Sequence, residues 1–240
     1  MKGEQNPLNI TKQAAHDRRT RVGEQNGQEI QRSPLQKITS FNALEKLGRV
    51  RLSKHFFMRE FLYSEIANYH GMPNFPDDPD LAIAAGEKLC QELLDPLFET
   101  FGNVIVRSAL RSCAVNQFGN ENKLNCSSNV RTYADHIWDR RDSEGRMGAC
   151  ACIVIPWFAD QYEAGRDWRD LAWWIHDNLP YSSMYFFPKR AAVNLVWRED
   201  PARAISSYVP PKGKLLAAGA VPDESDEARQ KRYGDFPPLH

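Results

Sequence analysis

The sequence predicts an α+β domain, a small antiparallel sheet with helices packed on it. Two stretches repeat apolar residues at helical spacing, near 79–101 and 167–178. Several shorter runs, at 104–106, 149–155, 184–187 and 191–197, are too brief for helices and rich in β-branched or aromatic residues. Helices come first and the short strands are largely segregated after them, the order of an α+β domain.

Taken in order, Leu81, Ala84, Ala85, Leu89, Leu93, Leu94, Leu97 and Phe98 share one side of a long helix. Asp77 or Asp78 is placed to cap it, Gly102 to stop it, and Pro96 predicts a bend. Val104–Val106 and Ala149–Ile155 read as buried strands. Asp167–Asn178 forms a second helix with Trp168, Leu171, Trp174, Ile175 and Leu179 turned to the core, ended by Pro180. Met184–Phe187 and Ala191–Trp197, joined at Pro188-Lys-Arg190, read as an antiparallel pair. Around this domain, set at residues 46–200, lie a polar arm (1–45) expected to be mobile and a Pro- and charge-rich tail (201–240) with no sustained periodicity. The Arg18-Arg19-Thr-Arg21 cluster of the arm reads as solvated.

The 240 residues carry 31 basic and 31 acidic side chains, so no net field would by itself recruit nucleic acid or an anionic membrane surface. No window approaches the roughly 20 apolar residues of a membrane span, and the first residues lack the apolar centre of a secretory signal. The chain therefore reads as soluble and cytoplasmic when made. Five cysteines, an odd number within one region, read as reduced thiols, with Cys90 a small buried hydrophobe. Nothing in the sequence specifies an oligomeric state.

The segment Leu52-Ser-Lys-His-Phe-Phe-Met-Arg-Glu-Phe-Leu-Tyr-Ser64 meets the pattern LSxHFxxxEFxxS residue for residue, and Ser108-Ala-Leu-Arg-Ser112 follows with Asn116 four positions on. On these motifs the chain resembles the zinc D-alanyl-D-alanine carboxypeptidases, a family that includes phage endolysins cutting peptidoglycan stem peptides. The resemblance runs from Leu52 to Trp197 and implies their α+β fold. It also implies a zinc held by a His, an Asp and a later His, whose bound water is acidified for attack on a peptide carbonyl. A Glu would act as general base and an Arg would hold developing negative charge.

Carried onto this chain, the resemblance puts Arg111 at the anion-holding position and Asn116 beside it as a substrate residue. His136, in Tyr133-Ala-Asp-His136, falls at the first ligand position, and Cys152, in Gly148-Ala-Cys-Ala-Cys-Ile153, at the second after an insertion. Thiolate is a good zinc ligand, so that exchange alone need not abolish metal binding. Asn194 stands at the third ligand position, where an amide is a poor donor, and Met184-Tyr-Phe-Phe-Pro188 offers no carboxylate for the base. Two substitutes are visible. Cys126, Cys150, Cys152 and His136 could close a structural zinc site, although Cys150 and Cys152 would need a bulge to reach one metal. Cys152 with His136 could form a nucleophilic pair. His55, His70 and His176 read as packing, capping or surface histidines, and most of the six tryptophans as core.

Three functions follow. The leading one is a diverged, catalytically impaired peptidase-like domain that binds a peptide or peptidoglycan-type ligand through Arg111. The second is an active zinc peptidase or amidase with rewired ligands, His136, Cys152 and either Asp139 or Asp142 of the inserted loop. The third is a phage or bacterial structural or adaptor protein whose extensions make the contacts.

Overall fold

The computed structural model describes residues 37–239, so most of the expected arm, with its arginine cluster, lies outside them. Helix α1 (Phe41–Gly48) is capped by the Ser40 hydroxyl. The opening motif then wraps onto a later helix, and each of its specific residues has a packing task. Leu52, Phe56 and Phe61 are buried. Ser53 donates to the Asp95 carboxylate at 2.8 Å, and His55 stacks on Phe98 at 4.2 Å with its Nε2 3.2 Å from Glu99. Glu60 accepts from the Phe57 backbone at 3.3 Å, and Ser64 caps α2 (Glu65–His70).

The long helix forms as three consecutive pieces, α3 (Pro79–Leu89), a π turn (Cys90–Leu94) and α4 (Asp95–Phe101). Asp78 is its cap, accepting from Leu81 N at 3.1 Å. Pro96 has no N–H to donate to the carbonyl four residues back, and the chain answers with a π turn just before it. Cys90 is buried inside this helix, as a small hydrophobe would be.

Strands β1 (Ile105–Ser108), β2 (Gly148–Val154), β3 (Ser183–Phe186), β4 (Val193–Arg198), β5 (Ala204–Ser207) and β6 (Gly213–Leu216) form one sheet in the order β1-β2-β4-β3-β5-β6. Between β1 and β2 run α5 (Cys113–Glu121) and α6 (Asn129–Thr132); α7 (Pro156–Glu163) and α8 (Trp168–Asn178) follow β2. The α+β class holds, but the sheet is mixed, because β3 pairs parallel with β5.

Alternation along the strands separates two faces. Ala149, Ala151 and Ile153 of β2, Val193, Leu195 and Trp197 of β4, and Met184 and Phe186 of β3 join the main core. Helix α3 packs against this β2–β4 centre, and Leu89, Leu93, Trp138, Trp173 and Ile175 share the core. The opposite face carries Cys150 and Cys152 of β2 with Asn194 of β4.

The boundary drawn at residue 200 does not survive. β5 and β6 extend the sheet, and α9 (Asp226–Arg232) docks on α8. Arg229 grips Asp177 at 2.8 Å, Arg232 reaches Asp167 and Asp170, and Phe236 meets Phe101 edge-on with centroids 5.7 Å apart. Arginines spaced to face the acids of another helix give no apolar period, so this packing is invisible to a hydrophobic pattern. No helix among the described residues is long and apolar enough to cross a membrane.

Candidate functional site

The second face of the sheet is organised by β2 and β4. Their antiparallel register sets Cys152 opposite Asn194 and Cys150 opposite Val196. On β3, Tyr185 lies opposite Asn194; the row continues through Ser206 of β5 to Lys214 of β6. One rung of the sheet thus presents a continuous polar line. Cys150 and Cys152 share this face without a bulge, since residues two apart on a strand point the same way.

His136 is brought to this face by the segment before β2. Its backbone carbonyl accepts from Arg111 N at 2.8 Å, and the Asp135 carbonyl accepts from Cys150 N at 3.0 Å. The buried imidazole places Nδ1 2.7 Å from the Ala109 carbonyl, which can only accept, so the proton sits on Nδ1 and Nε2 carries the lone pair. That lone pair points between two rungs, 3.5 Å from Cys150 Sγ and 3.4 Å from Asn194 Nδ2. Burial, then the Arg111 charge, hold the imidazole pKa down at about 4, so near neutral pH it is a ligand or acceptor rather than an acid.

The donor atoms that come together are those of Asp135, His136 and Cys150, all within 4.8 Å of one another. Cys152 is outside that group. The Asp135–Cys150 backbone bond sets the histidine loop against the Cys150 rung, one step from the expected one. Cys152 instead bonds Arg107, and burial pushes both thiols up in pKa, Cys150 more so. Reactive cysteines need the opposite shift, which removes the support for a Cys152–His136 nucleophilic pair.

Zinc bonds of about 2.0–2.3 Å to nitrogen and sulfur, at a tetrahedral angle, separate two ligands by roughly 3.5 Å. The His136–Cys150 distance matches, as it also matches a thiol hydrogen bond. An N, S and O donor set fits zinc, but through Asp135 and Cys150 rather than Cys152 and Asn194. Cys126 is outside the donor cluster, its sulfur 2.6 Å from Arg111 Nη1.

The other expected residues fall into different roles. Arg111 is half-buried next to His136, with one amino group directed to Cys126. Asn116, read as a substrate residue, is fully buried and donates to Ser127 O and Asn129 Oδ1 at 3.0 and 2.8 Å, so it positions the loop behind the site. Asp139 accepts from Asp77 N at 2.6 Å and Asp78 N at 3.3 Å, which ties the inserted loop to the start of α3. Asp142 accepts from Glu144 N and Arg146 N within its own turn. Neither carboxylate joins the donor cluster. His176 is not a plain surface residue: it shares a 2.8 Å hydrogen bond with the Tyr181 hydroxyl, and burial holds its pKa at about 4.

A cavity of about 800 Å³ lies beside the inserted loop, where ion pairs such as Arg146–Asp200 and Arg198–Asp142 occupy its walls. It does not include His136, Cys150 or Asn194. The sequence names Cys150 among the candidate ligands but does not reach Asp135, Arg107 or Tyr185; the period-two register of 150, 152 and 154 is the signal that groups the strand residues. No family model, curated protein or solved structure matches this chain.

Proposed function

We propose that this chain is a diverged zinc-peptidase-like domain that binds a peptide or peptidoglycan-type ligand at the second face of its sheet, beside Arg111 and His136, and is impaired in cutting it. The observation that carries this reading is the seat of Asn194, whose amide nitrogen lies 3.4 Å from the lone-pair nitrogen of His136. An amide there satisfies the imidazole as a hydrogen-bond donor and contributes poorly to a metal, so recognition is retained where hydrolysis would need a third strong ligand. Arg111, half-buried beside His136, supplies a guanidinium able to take a carboxylate. The partly exposed Tyr185 and Ser206 extend the polar line on which an extended ligand could lie.

Calorimetric titration of the full chain with a stem peptide ending in D-alanyl-D-alanine tests the reading. Saturable binding weakened at least about tenfold, or about 1.4 kcal/mol, in Arg111→Ala is expected. Equal affinity in the variant would remove Arg111 from the site, and no binding by either protein would remove the ligand class.

A second reading is favoured by the Asp135, His136 and Cys150 cluster. In it these three residues hold a zinc ion, which when bound would supply Lewis-acid chemistry. Metal content of protein purified without a metal-affinity tag decides it. About one zinc per chain, lost in His136→Ala, supports it; none sets it aside.

A further inference from the structure

A second site lies at the end of the sheet where β1 and β2 meet the β3–β4 turn. There Ile105, Arg107, Val154, Lys189 and Arg190 line a cavity of about 280 Å³. Three of the five are cations and none is an acid. This is unusual for this molecule, whose arginines elsewhere are mostly paired with carboxylates, as in Arg49–Glu45, Arg140–Asp77, Arg166–Asp235 and Arg229–Asp177. Neither Lys189 nor Arg190 forms a side-chain ion pair among the described residues.

Two backbone irregularities bring these cations together. The β1–β2 register shifts between Val106 and Ser108, at Arg107, and such a bulge re-aims the side chain at its position. Arg107 turns toward the Cys152 thiol and the cavity mouth. In the turn, Arg190 and Ala191 both take left-handed backbone conformations, with φ of 58° and 47°, which non-glycine residues adopt rarely. The turn is closed around them by Phe187 N to Ala192 O at 2.7 Å and Ala192 N to Lys189 O at 3.1 Å. Such strain is found where the surrounding structure needs a side chain in a particular place. Lys189 and Arg190 of this turn line the same cavity as Arg107.

We propose that this cavity is a binding site for a phosphate-class oxyanion, free or as the terminal group of a larger ligand. A single carboxylate is satisfied by one guanidinium fork, whereas a phosphate presents three terminal oxygens and up to two charges, enough to engage two guanidinium groups and an ammonium together. The proposal is independent of the peptide-binding and zinc readings, because it uses neither Arg111 nor the Asp135, His136 and Cys150 cluster.

The test is a titration of the full chain with inorganic phosphate at constant ionic strength, followed by amide and arginine side-chain NMR signals and repeated with O-phosphoserine, acetate and chloride. Saturable shifts centred on Arg107, Lys189 and Arg190 are expected, with affinity reduced at least about tenfold in Lys189→Gln and in Arg190→Gln and unchanged in Lys212→Gln. Both test positions are exposed, and thermal melts check that the variants remain folded. Tighter binding of O-phosphoserine assigns the cavity to a phosphomonoester on a larger ligand, and equal affinity assigns it to the free ion; either supports the site. Acetate or chloride binding as tightly as phosphate, equal affinity in the two variants, or no saturable shift would overturn it.

Discussion

The two faces of the β2–β4 pair are built from the same backbone register and obey different rules. On one face Ala149, Ala151, Ile153, Leu195 and Trp197 are packed under helices, with the Trp138 indole donating to the Cys150 carbonyl at 3.1 Å at the edge of this layer. On the other, Cys152, Asn194, Tyr185 and Ser206 form a polar line along one rung. The first face is constrained by volume, the second by donor and acceptor chemistry. Substitutions should therefore cost stability on the first and change ligands on the second.

The largest break should come from Trp138→Ala. Its ring is fully buried against Phe61, with centroids 5.3 Å apart, and truncation is expected to cost about 3–5 kcal/mol by urea denaturation. A cost below about 1 kcal/mol would mean that this layer is not packed as described. Gly86→Ala tests the same layer from the opposite direction. A Cβ there would fall 2.8 Å from the Trp138 ring and 3.2 Å from Leu52, so overpacking of about 1–3 kcal/mol should outweigh the better helix propensity of alanine.

Acid offers a third probe, away from both faces of the β2–β4 pair. His176, beside Tyr181 and with Arg203, Asp177, Arg229 and Asp226 around it, has a folded pKa near 4 against an ordinary value of 6.5. The unfolded chain takes up that proton first. The stabilising contribution is thus complete above about pH 6.5 and is lost as pH falls through about 4. His176→Gln should flatten the fall of the urea midpoint across this window, and parallel curves for the two proteins would contradict the assignment. His136, also held neutral by burial, contributes with the same sign and should account for slope that remains.

The smallest effect on stability should come from Asn194→His, on the second face, where the side chain is partly exposed. A change within about 1 kcal/mol is expected, accompanied by tighter zinc binding in calorimetry, because a second imidazole would then stand opposite His136 Nε2. A large loss of stability with no change in metal affinity would place Asn194 in the packed layer instead.

Much of the fold was legible because its signals are local. Asp78, one of the two cap candidates, caps the long helix, α8 falls within the predicted 167–178, and the β-branched runs form β2 and β4; in α3 Ala85 and Leu89 are buried as expected, whereas Ala82 and Ile83 rather than Leu81 and Ala84 complete the buried side. The opening motif is legible as a pattern, and the structure shows what its residues contact. Leu52, Ser53, His55, Glu60 and Ser64 hold the N-terminal segment in place through Asp95, Phe98 and local caps.

The site was less legible for the converse reason. His136 is singled out by the sequence as a candidate ligand, but the thiol beside it depends on which rung of β2 the histidine loop touches, and a backbone bond from Cys150 to Asp135 sets it by Cys150 rather than Cys152. Pairings across sequence gaps of this kind leave no periodic trace. The C-terminal strands and α9 were missed for a related reason, since they are held largely by arginine–carboxylate contacts to α8 and by a parallel pairing that no hairpin announces.

The central claim is the proposal that the second face of the sheet binds a peptide ligand without cutting it, and the direct measurement is turnover. The 240-residue chain, with zinc added, is incubated with a stem peptide ending in D-alanyl-D-alanine, and products are followed by mass spectrometry while retention of intact peptide is measured on the same sample. The account predicts intact peptide retained on the protein, with retention reduced in Arg111→Ala and no release of D-alanine. Release of D-alanine that disappears in His136→Ala would contradict it and establish a working hydrolase at the Asp135, His136 and Cys150 cluster.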